Sequence, residues 1–180
     1  QSYRPQADQA QLVRQALENP IGTPPLRELA KGKHQVVIIS SDHTRPVPSK
    51  VILPQLVEEL RAGNPDAEIT VLVATGFHRP TTREEMLDKY GQELFLRSGL
   101  HFAVHLSGKD EDMVSLGTLP SGGKLLINKL AAQADLLVAE GFIEPHFFAG
   151  FSGGRKSVLP GVASRTTVLA NHCSAFIDSL

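Results

Sequence analysis

The sequence predicts an α/β fold in which an open, mostly parallel sheet is flanked by helices. Short β-rich runs alternate with amphipathic helical stretches, and several runs are apolar on both faces, as in strands covered by helices on both sides. The length of 180 residues suits one domain. Because such sheets bind ligands beyond the carboxyl ends of their strands, the following loops are the expected functional regions. The β-rich runs are residues 36–39, 69–74, 102–106, 124–127 and 136–139.

Helical patterns and capping signals separate these runs. Apolar side chains recur at helical spacing near the amino end, where Pro20 ends the first helix. A Thr-x-x-Glu capping box predicts the start of a later helix, and Ser164 predicts the start of the last one. The predicted helices are 6–17, 49–61, a helix opened by the box at 81–84 and running toward Tyr90, and 165 to about 177, which contains His172.

Composition excludes several classes of protein. With 41% hydrophobic and 21% charged residues the chain is neither disordered nor fibrous. A formal net charge of −1 argues against nucleic acid as a partner, and no apolar run approaches the roughly 20 residues of a membrane span. A single cysteine, Cys173, and no secretory leader favour a cytoplasmic location. The chain starts at Gln1 and stops directly after a helix-like stretch, so we expect it to be part of a longer protein.

Loop 1, residues 40–49, follows the first run and is rich in polar side chains. Solvated charges around an Asx-type turn would explain such a segment. Alternatively, Arg45 binds a carboxylate or phosphate with its planar guanidinium, while Asp42 orients a neighbour by hydrogen bonding. The spacing of these residues leaves both interpretations open.

Loop 2, residues 74–80, follows the second buried run and contains His78. That histidine stands at the carboxyl end of a predicted strand, where a catalytic base would lie. A lone histidine is more often structural or simply exposed, so this position becomes informative only together with others.

Loop 3, residues 140–161, alternates glycines and aromatics around Arg155 and Lys156. Gly150, Gly153 and Gly154 permit positive φ and close backbone approach, so a phosphate or a flat ring could lie against the amides. A phosphate-binding P-loop starting at Gly150 would need glycine where Arg155 stands, and it would follow its strand directly. Both departures make nucleotide hydrolysis a minor alternative.

Taken together, four segments resemble the nickel-dependent lactate racemase family. The resemblance covers residues 42–172, most of the chain, and the intervals between the segments agree with the family pattern. The segments are DHTRP at 42–46, TGFHR at 75–79, EPHFFAGFSGGRK at 144–156 and ANH at 170–172.

The resemblance implies that residues 1–180 form a Rossmann-like N-terminal domain that binds cofactor and carries catalytic residues. Members of the family are longer, and a C-terminal domain closes over their active site. Their cofactor is a nickel pincer nucleotide, a pyridinium mononucleotide with two sulfur-bearing arms. The resemblance assigns its covalent attachment to Lys156 through a thioamide and the remaining nickel coordination to His172. Thr44, Ser152, Gly153 and Gly154 are the other expected cofactor-binding residues.

The same resemblance implies a racemase or epimerase of small 2-hydroxy acids such as lactate. His78 and His146 would act as paired acid/base groups on opposite faces of the substrate, and Arg45 would receive its carboxylate. Asp42 matches an acidic catalytic position whose task the sequence does not define.

Physical chemistry agrees with these implied roles. The α-proton of a 2-hydroxy acid is too weakly acidic for a histidine base, whereas hydride transfer to the cofactor avoids that step. Sulfur and carbon donors with one imidazole also suit nickel in a protein with a single cysteine. A non-catalytic cofactor carrier or sensor is the competing interpretation. A carrier would need Lys156 and His172 but has no use for His78, His146 and Arg45.

Overall fold

The computed structural model describes residues 7–146 and 149–174, except for the side chain of residue 97. At its centre is a four-stranded parallel sheet, which confirms the predicted fold class. The strands are β1 (Gln35–Ser41), β2 (Glu68–Ala74), β3 (His101–Val104), β4 (Met113–Thr118), β5 (Lys124–Asn128), β6 (Leu136–Ala139), β7 (Pro145–His146) and β8 (Gly150–Phe151), and the central order is β3-β2-β1-β6.

Helices lie between and around these strands. Within the described residues, none of them is both long and apolar enough to cross a membrane. The α-helices are α1 (Gln9–Glu18), α2 (Leu26–Leu29), α3 (Ser49–Gly63), α4 (Arg83–Tyr90), α5 (Lys129–Ala132) and α6 (Arg165–Asn171). A π-helix spans Glu93–Arg97, and 3₁₀ helices span Asp110–Asp112 and Gly154–Ser157.

The two inner strands, β1 and β2, are largely buried on both faces, as their continuous apolar runs predict. Alternate residues of β1 enter different cores. Val36 and Ile38 pack with Leu53 and Leu60 of α3, while Val37 and Ile39 pack with residues that include Val168 of α6. The sheet is therefore held between two apolar layers, and its carboxyl edge is left to the loops.

The run 124–127 forms β5, which lies outside the central sheet. It pairs antiparallel with β4, a strand that the sequence analysis missed. Ile127 of β5 packs beside Val162 in the second core, so β5 covers the sheet instead of extending it. Beyond Met113, β4 is largely exposed and includes Ser115 and Gly117, which explains its weak apolar signal.

Helix boundaries differ from the sequence prediction at several ends. Helix α1 spans Gln9–Glu18, after the N-cap Asp8, and α3 extends to Gly63. The capping box at 81–84 is wrong by one residue, because Thr82 is the N-cap and exchanges hydrogen bonds with Glu85. Ser164 caps α6 as predicted, but α6 ends at Asn171 and His172 is its C-cap. The predicted ends of the first helix at residue 6 and of the last helix at 175–177 lie outside the described residues.

Candidate active site

The three loops meet at one cavity of about 270 Å³ at the carboxyl edge of the sheet. Its volume lies just below the range of about 300–1,000 Å³ that is common for small-molecule sites. Of the predicted site residues only Gly154, which begins a 3₁₀ helix, is not among those lining it. The predicted residues on its wall are Asp42, Thr44, Arg45, His78, His146, Ser152, Gly153, Lys156 and His172.

Asp42 and His78 form a close pair in this wall. Oδ2 of Asp42 lies 2.6 Å from Nδ1 of His78, and Asp42 is buried while His78 is about half exposed. Oδ1 of Asp42 accepts hydrogen bonds from the backbone N–H and the hydroxyl of Thr44, at 3.0 and 2.6 Å. Asp42 therefore receives three hydrogen bonds.

These contacts determine the ionisation of Asp42. Burial raises the pKa of its carboxyl, but hydrogen bonds from Thr44 and His78 outweigh burial and hold that pKa below its ordinary value. The carboxylate is thus ionised at neutral pH and accepts the Nδ1 hydrogen of His78. In the neutral imidazole, Nε2 then carries the lone pair.

Arg45 belongs to the same hydrogen-bond network. Its Nη1 donates to Oγ1 of Thr44 at 3.2 Å, so Thr44 joins the guanidinium to Asp42. Its Nε lies 3.8 Å from Oε1 of Glu144, which is an ion-pair distance but too long for a hydrogen bond. A carboxylate arriving at Arg45 would therefore compete with a weak contact.

His146 lies in a small antiparallel pair that loop 3 forms with itself. Strands β7 and β8 pair His146 with Gly150, and Nδ1 of His146 accepts the backbone N–H of Ala149 at 3.3 Å. Burial together with the charges of Lys156 and Arg45 lowers the pKa of His146. Residues 147 and 148 of the predicted motif lie outside the described residues.

Ser152 and Gly153 shape the rest of loop 3. The Ser152 hydroxyl donates to the carbonyl of Phe142 at 2.8 Å and accepts the N–H of Glu144 at 3.1 Å, so it fastens the loop. Gly153 has φ +74°, and a Cβ there would lie 3.0 Å from the Phe142 carbonyl oxygen. Glycine is therefore required by both conformation and space. The short 3₁₀ helix that follows also differs from the α-helix of a P-loop.

Lys156 and His172 both line the cavity, and both have a lowered pKa. Burial and the charge of Arg45 lower the pKa of Lys156, while burial, Lys156 and His146 lower the pKa of His172. A neutral amine is the nucleophilic form of lysine, and a neutral imidazole is the metal-binding form of histidine. Across residues 7–146 and 149–174 no group of three or more His, Cys, Asp or Glu is arranged to hold a metal ion.

A larger depression of about 790 Å³ lies on the other side of loop 1. Its wall includes Arg45 and Lys89 but not the histidine pair or Lys156. The smaller cavity is the better candidate active site because it gathers the chemically active groups.

Glu140 lies at the start of loop 3 and was not among the predicted site residues. It is buried directly after β6, and its Oε1 accepts hydrogen bonds from the hydroxyls of Ser40 and Ser49. The only sequence signal was a carboxylate immediately after an apolar run, which is also typical of a solvated loop.

The fold and this cavity define an α/β domain with a candidate small-molecule site at the carboxyl edge of its sheet. Residues 1–179 match the family described as "Lactate racemase N-terminal domain", and the chain belongs to that family. The curated relatives include two lactate racemases. The one from Thermoanaerobacterium thermosaccharolyticum is 60% identical over 178 residues, and the one from Lactiplantibacillus plantarum is 57% identical over 178 residues.

Solved structures support the same relationship. The lactate racemase apoprotein from T. thermosaccharolyticum matches with a TM-score of 0.91 and 62% identity, over 94% of this chain and 40% of that one. A protein from Thermotoga maritima matches with a TM-score of 0.66 and 27% identity, over 80% of this chain and 39% of that one. The two curated relatives match 99% of this chain, which spans 41% and 42% of their lengths.

Proposed function

We propose that this chain is the cofactor- and substrate-binding domain of an isomerase, a racemase or epimerase of lactate or a related 2-hydroxy acid. The observation that carries the proposal is the convergence of His78, His146 and Arg45, from three loops, on the cavity that also contains Lys156. The relatives named as lactate racemases support the same activity.

His78 is the better defined of the two proposed acid/base groups. The Asp42 carboxylate holds the Nδ1 hydrogen at 2.6 Å, so Nε2 is the atom that takes the hydroxyl proton of one substrate enantiomer. Asp42 thus acts on the tautomer and orientation of His78 and is itself kept away from solvent.

His146 serves the opposite enantiomer in this proposal. Its lowered pKa favours the neutral imidazole at neutral pH, as a base requires. The substrate proton would be taken by Nδ1 in exchange for the long hydrogen bond that this atom accepts from Ala149. Arg45 would bind the substrate carboxylate near Thr44. This contact would place the substrate hydroxyl and α-carbon between the two histidines.

Lys156 and His172 would hold the nickel pincer nucleotide, whose bound form supplies a hydride acceptor for the α-hydrogen. The chemistry of the two side chains fits that task, because the pKa of each is lowered toward its neutral form. The cofactor brings sulfur and carbon donors of its own, so one imidazole from the protein completes the set. Gly153 and Ser152 would form the wall against which the nucleotide lies.

A second domain completes the proposal. The relatives are more than twice as long as their matched region, and we assign residues 1–180 to an N-terminal domain whose cavity a C-terminal domain would cover. Covering the cavity would exclude water from the reacting groups.

The histidine pair provides the test. In the full-length protein loaded with cofactor, His78→Ala and His146→Ala should each lower racemisation by about a hundredfold to ten-thousandfold. In single-turnover mixing, each variant should still change the cofactor absorbance with one enantiomer and lose that change with the other.

His43→Ala is the matched control. His43 lies outside the cavity, 3.1 Å from Oγ1 of Thr81, so its removal should leave both enantiomers reactive. Equal responses of both cavity variants to both enantiomers would show that the two-base assignment is wrong.

A further inference from the structure

Glu140 joins two of the loops that form the candidate site. It follows β6 directly and is the first residue of loop 3, and only 5% of its surface is exposed. Its Oε1 accepts hydrogen bonds from Oγ of Ser40 at 2.5 Å and from Oγ of Ser49 at 2.6 Å. One carboxylate oxygen therefore holds two serines that are far from it in sequence.

These two serines bracket the part of loop 1 that carries the site residues. Ser40 belongs to β1, two residues before Asp42, and Ser49 is the first residue of α3. Both serines are fully buried. The hydrogen bonds from the two ends of segment 42–48 are therefore accepted by the same atom of loop 3, Oε1 of Glu140.

The hydroxyl groups around Glu140 can all donate their hydrogens at the same time. The Tyr90 hydroxyl donates to Oγ of Ser40 at 3.0 Å, and Ser40 then donates its own hydrogen to Glu140. The Ser49 hydroxyl donates from the other side. Oε2 of Glu140 makes no hydrogen bond within the described residues, so both ordered contacts depend on Oε1.

We propose that Glu140 is a positioning residue that fixes loop 1 against loop 3. It would keep Arg45 and the Asp42–His78 pair in register with Lys156, which stands on loop 3. This inference rests on the proposed function for its kinetic consequence, whereas the anchoring of loop 1 can be measured without it. A purely structural role would instead stabilise the whole domain evenly.

The test uses hydrogen exchange of the full-length protein without cofactor, together with kinetics of the loaded enzyme. In Glu140→Ala, the backbone amides of residues 44, 45, 47 and 49, the non-proline positions of this segment, should exchange about tenfold faster, because both anchoring hydroxyls lose their acceptor. The same variant should raise the substrate KM by about tenfold or more, since small displacements of a positioning group are costly.

Two further variants test whether Oε1 of Glu140, as a hydrogen-bond acceptor, anchors loop 1. Glu140→Gln keeps a carbonyl oxygen as acceptor and loses no hydrogen bond of Oε2, so exchange and KM should return to within about threefold of the wild type. Ser49→Ala removes one anchor only, and the amides of residues 47 and 49 should exchange faster than that of residue 44. This variant also decides the question if Glu140→Ala does not fold.

Val57→Ala is the control for general destabilisation. Val57 is buried in the core on α3 and is not among the residues lining the cavity, so its truncation should weaken the domain without selectively freeing loop 1. Unchanged exchange at residues 44–49 in both Glu140→Ala and Ser49→Ala, or an equal increase throughout the central strands, would overturn the proposal. Faster local exchange with no measurable racemase activity in the wild type would instead contradict the proposed function alone.

Discussion

Replacing Asp42 by Asn tests how the buried carboxylate controls His78. The substitution keeps the size of the side chain and removes its charge. In the native site the carboxylate accepts two hydrogen bonds from Thr44 and one from His78, and its side chain is 3% exposed. An amide offers one acceptor oxygen and one donor group, so it cannot accept on both sides.

The expected magnitude follows from this geometry. If the amide oxygen stays with the two donors of Thr44, the amide nitrogen faces Nδ1 of His78. That nitrogen must then become the acceptor, and the imidazole hydrogen moves to Nε2, the atom proposed to take the substrate proton. The loss should approach that of removing the base, about a hundredfold to ten-thousandfold for the enantiomer that His78 serves.

The assay is single-turnover mixing of the loaded full-length Asp42→Asn protein with each enantiomer separately. One enantiomer should be slowed and the other should react at close to the wild-type rate. Asp66→Asn, at an exposed position just before the amino end of β2, is the control and should change neither rate. An equal effect of Asp42→Asn on both enantiomers, or none on either, would refute the reasoning.

Two further predictions concern the cofactor and the buried histidine of the fold. Lys156→Ala in the full-length protein should abolish the covalent mass adduct, while His172→Ala should keep the organic adduct and lose nickel; intact mass with metal analysis checks both, and a retained adduct in Lys156→Ala contradicts the assignment. Burial lowers the pKa of His105, so its stabilising contribution is present above its ordinary value of 6.5 and is lost as the pH falls through the folded value. Urea unfolding should therefore show a steeper decline in stability between about pH 7 and 5 for the wild type than for His105→Gln; parallel pH profiles would contradict this.

The central strands were predictable because strands inside a covered sheet have a simple, mostly apolar sequence pattern. Strands buried on both faces are continuously apolar, as β1 and β2 largely are, and the edge strands β3 and β6 are mostly apolar although they are only partly buried. The same pattern does not distinguish a strand inside the sheet from one that covers it, so β5 was recognised as a strand without its antiparallel partner β4. The one-residue shift at α4 has a similar origin, since both Thr81 and Thr82 fit a capping signal and only packing selects between them.

The candidate site was predictable where residue types alone suggest chemistry. Polar residues in loops after apolar strands indicated the region of the cavity, and the resemblance to a known family then assigned His146, Lys156 and His172 to it. Glu140 could not be predicted in this way, because its proposed role depends on hydrogen bonds from Ser40 and Ser49, which are 100 and 91 residues away in sequence. Contacts at that separation are set by the packing of β1, α3 and β6, and a single sequence does not display them.

The cations of the cavity also influence one another in a way that fits the proposed reaction. Burial is the largest cause of the lowered pKa of Lys156, His146 and His172. In addition, the charge of Arg45 lowers the pKa of Lys156 and His146, and the charge of Lys156 lowers the pKa of His146 and His172. Attachment of a cofactor at Lys156 and pairing of a substrate carboxylate with Arg45 would each remove or offset one of these charges. Loss of these charges would by itself raise the pKa of His146, whereas burial, the largest cause of the lowering, would persist in the filled site. The proposed ligand-binding groups would therefore also influence the pKa of the proposed base.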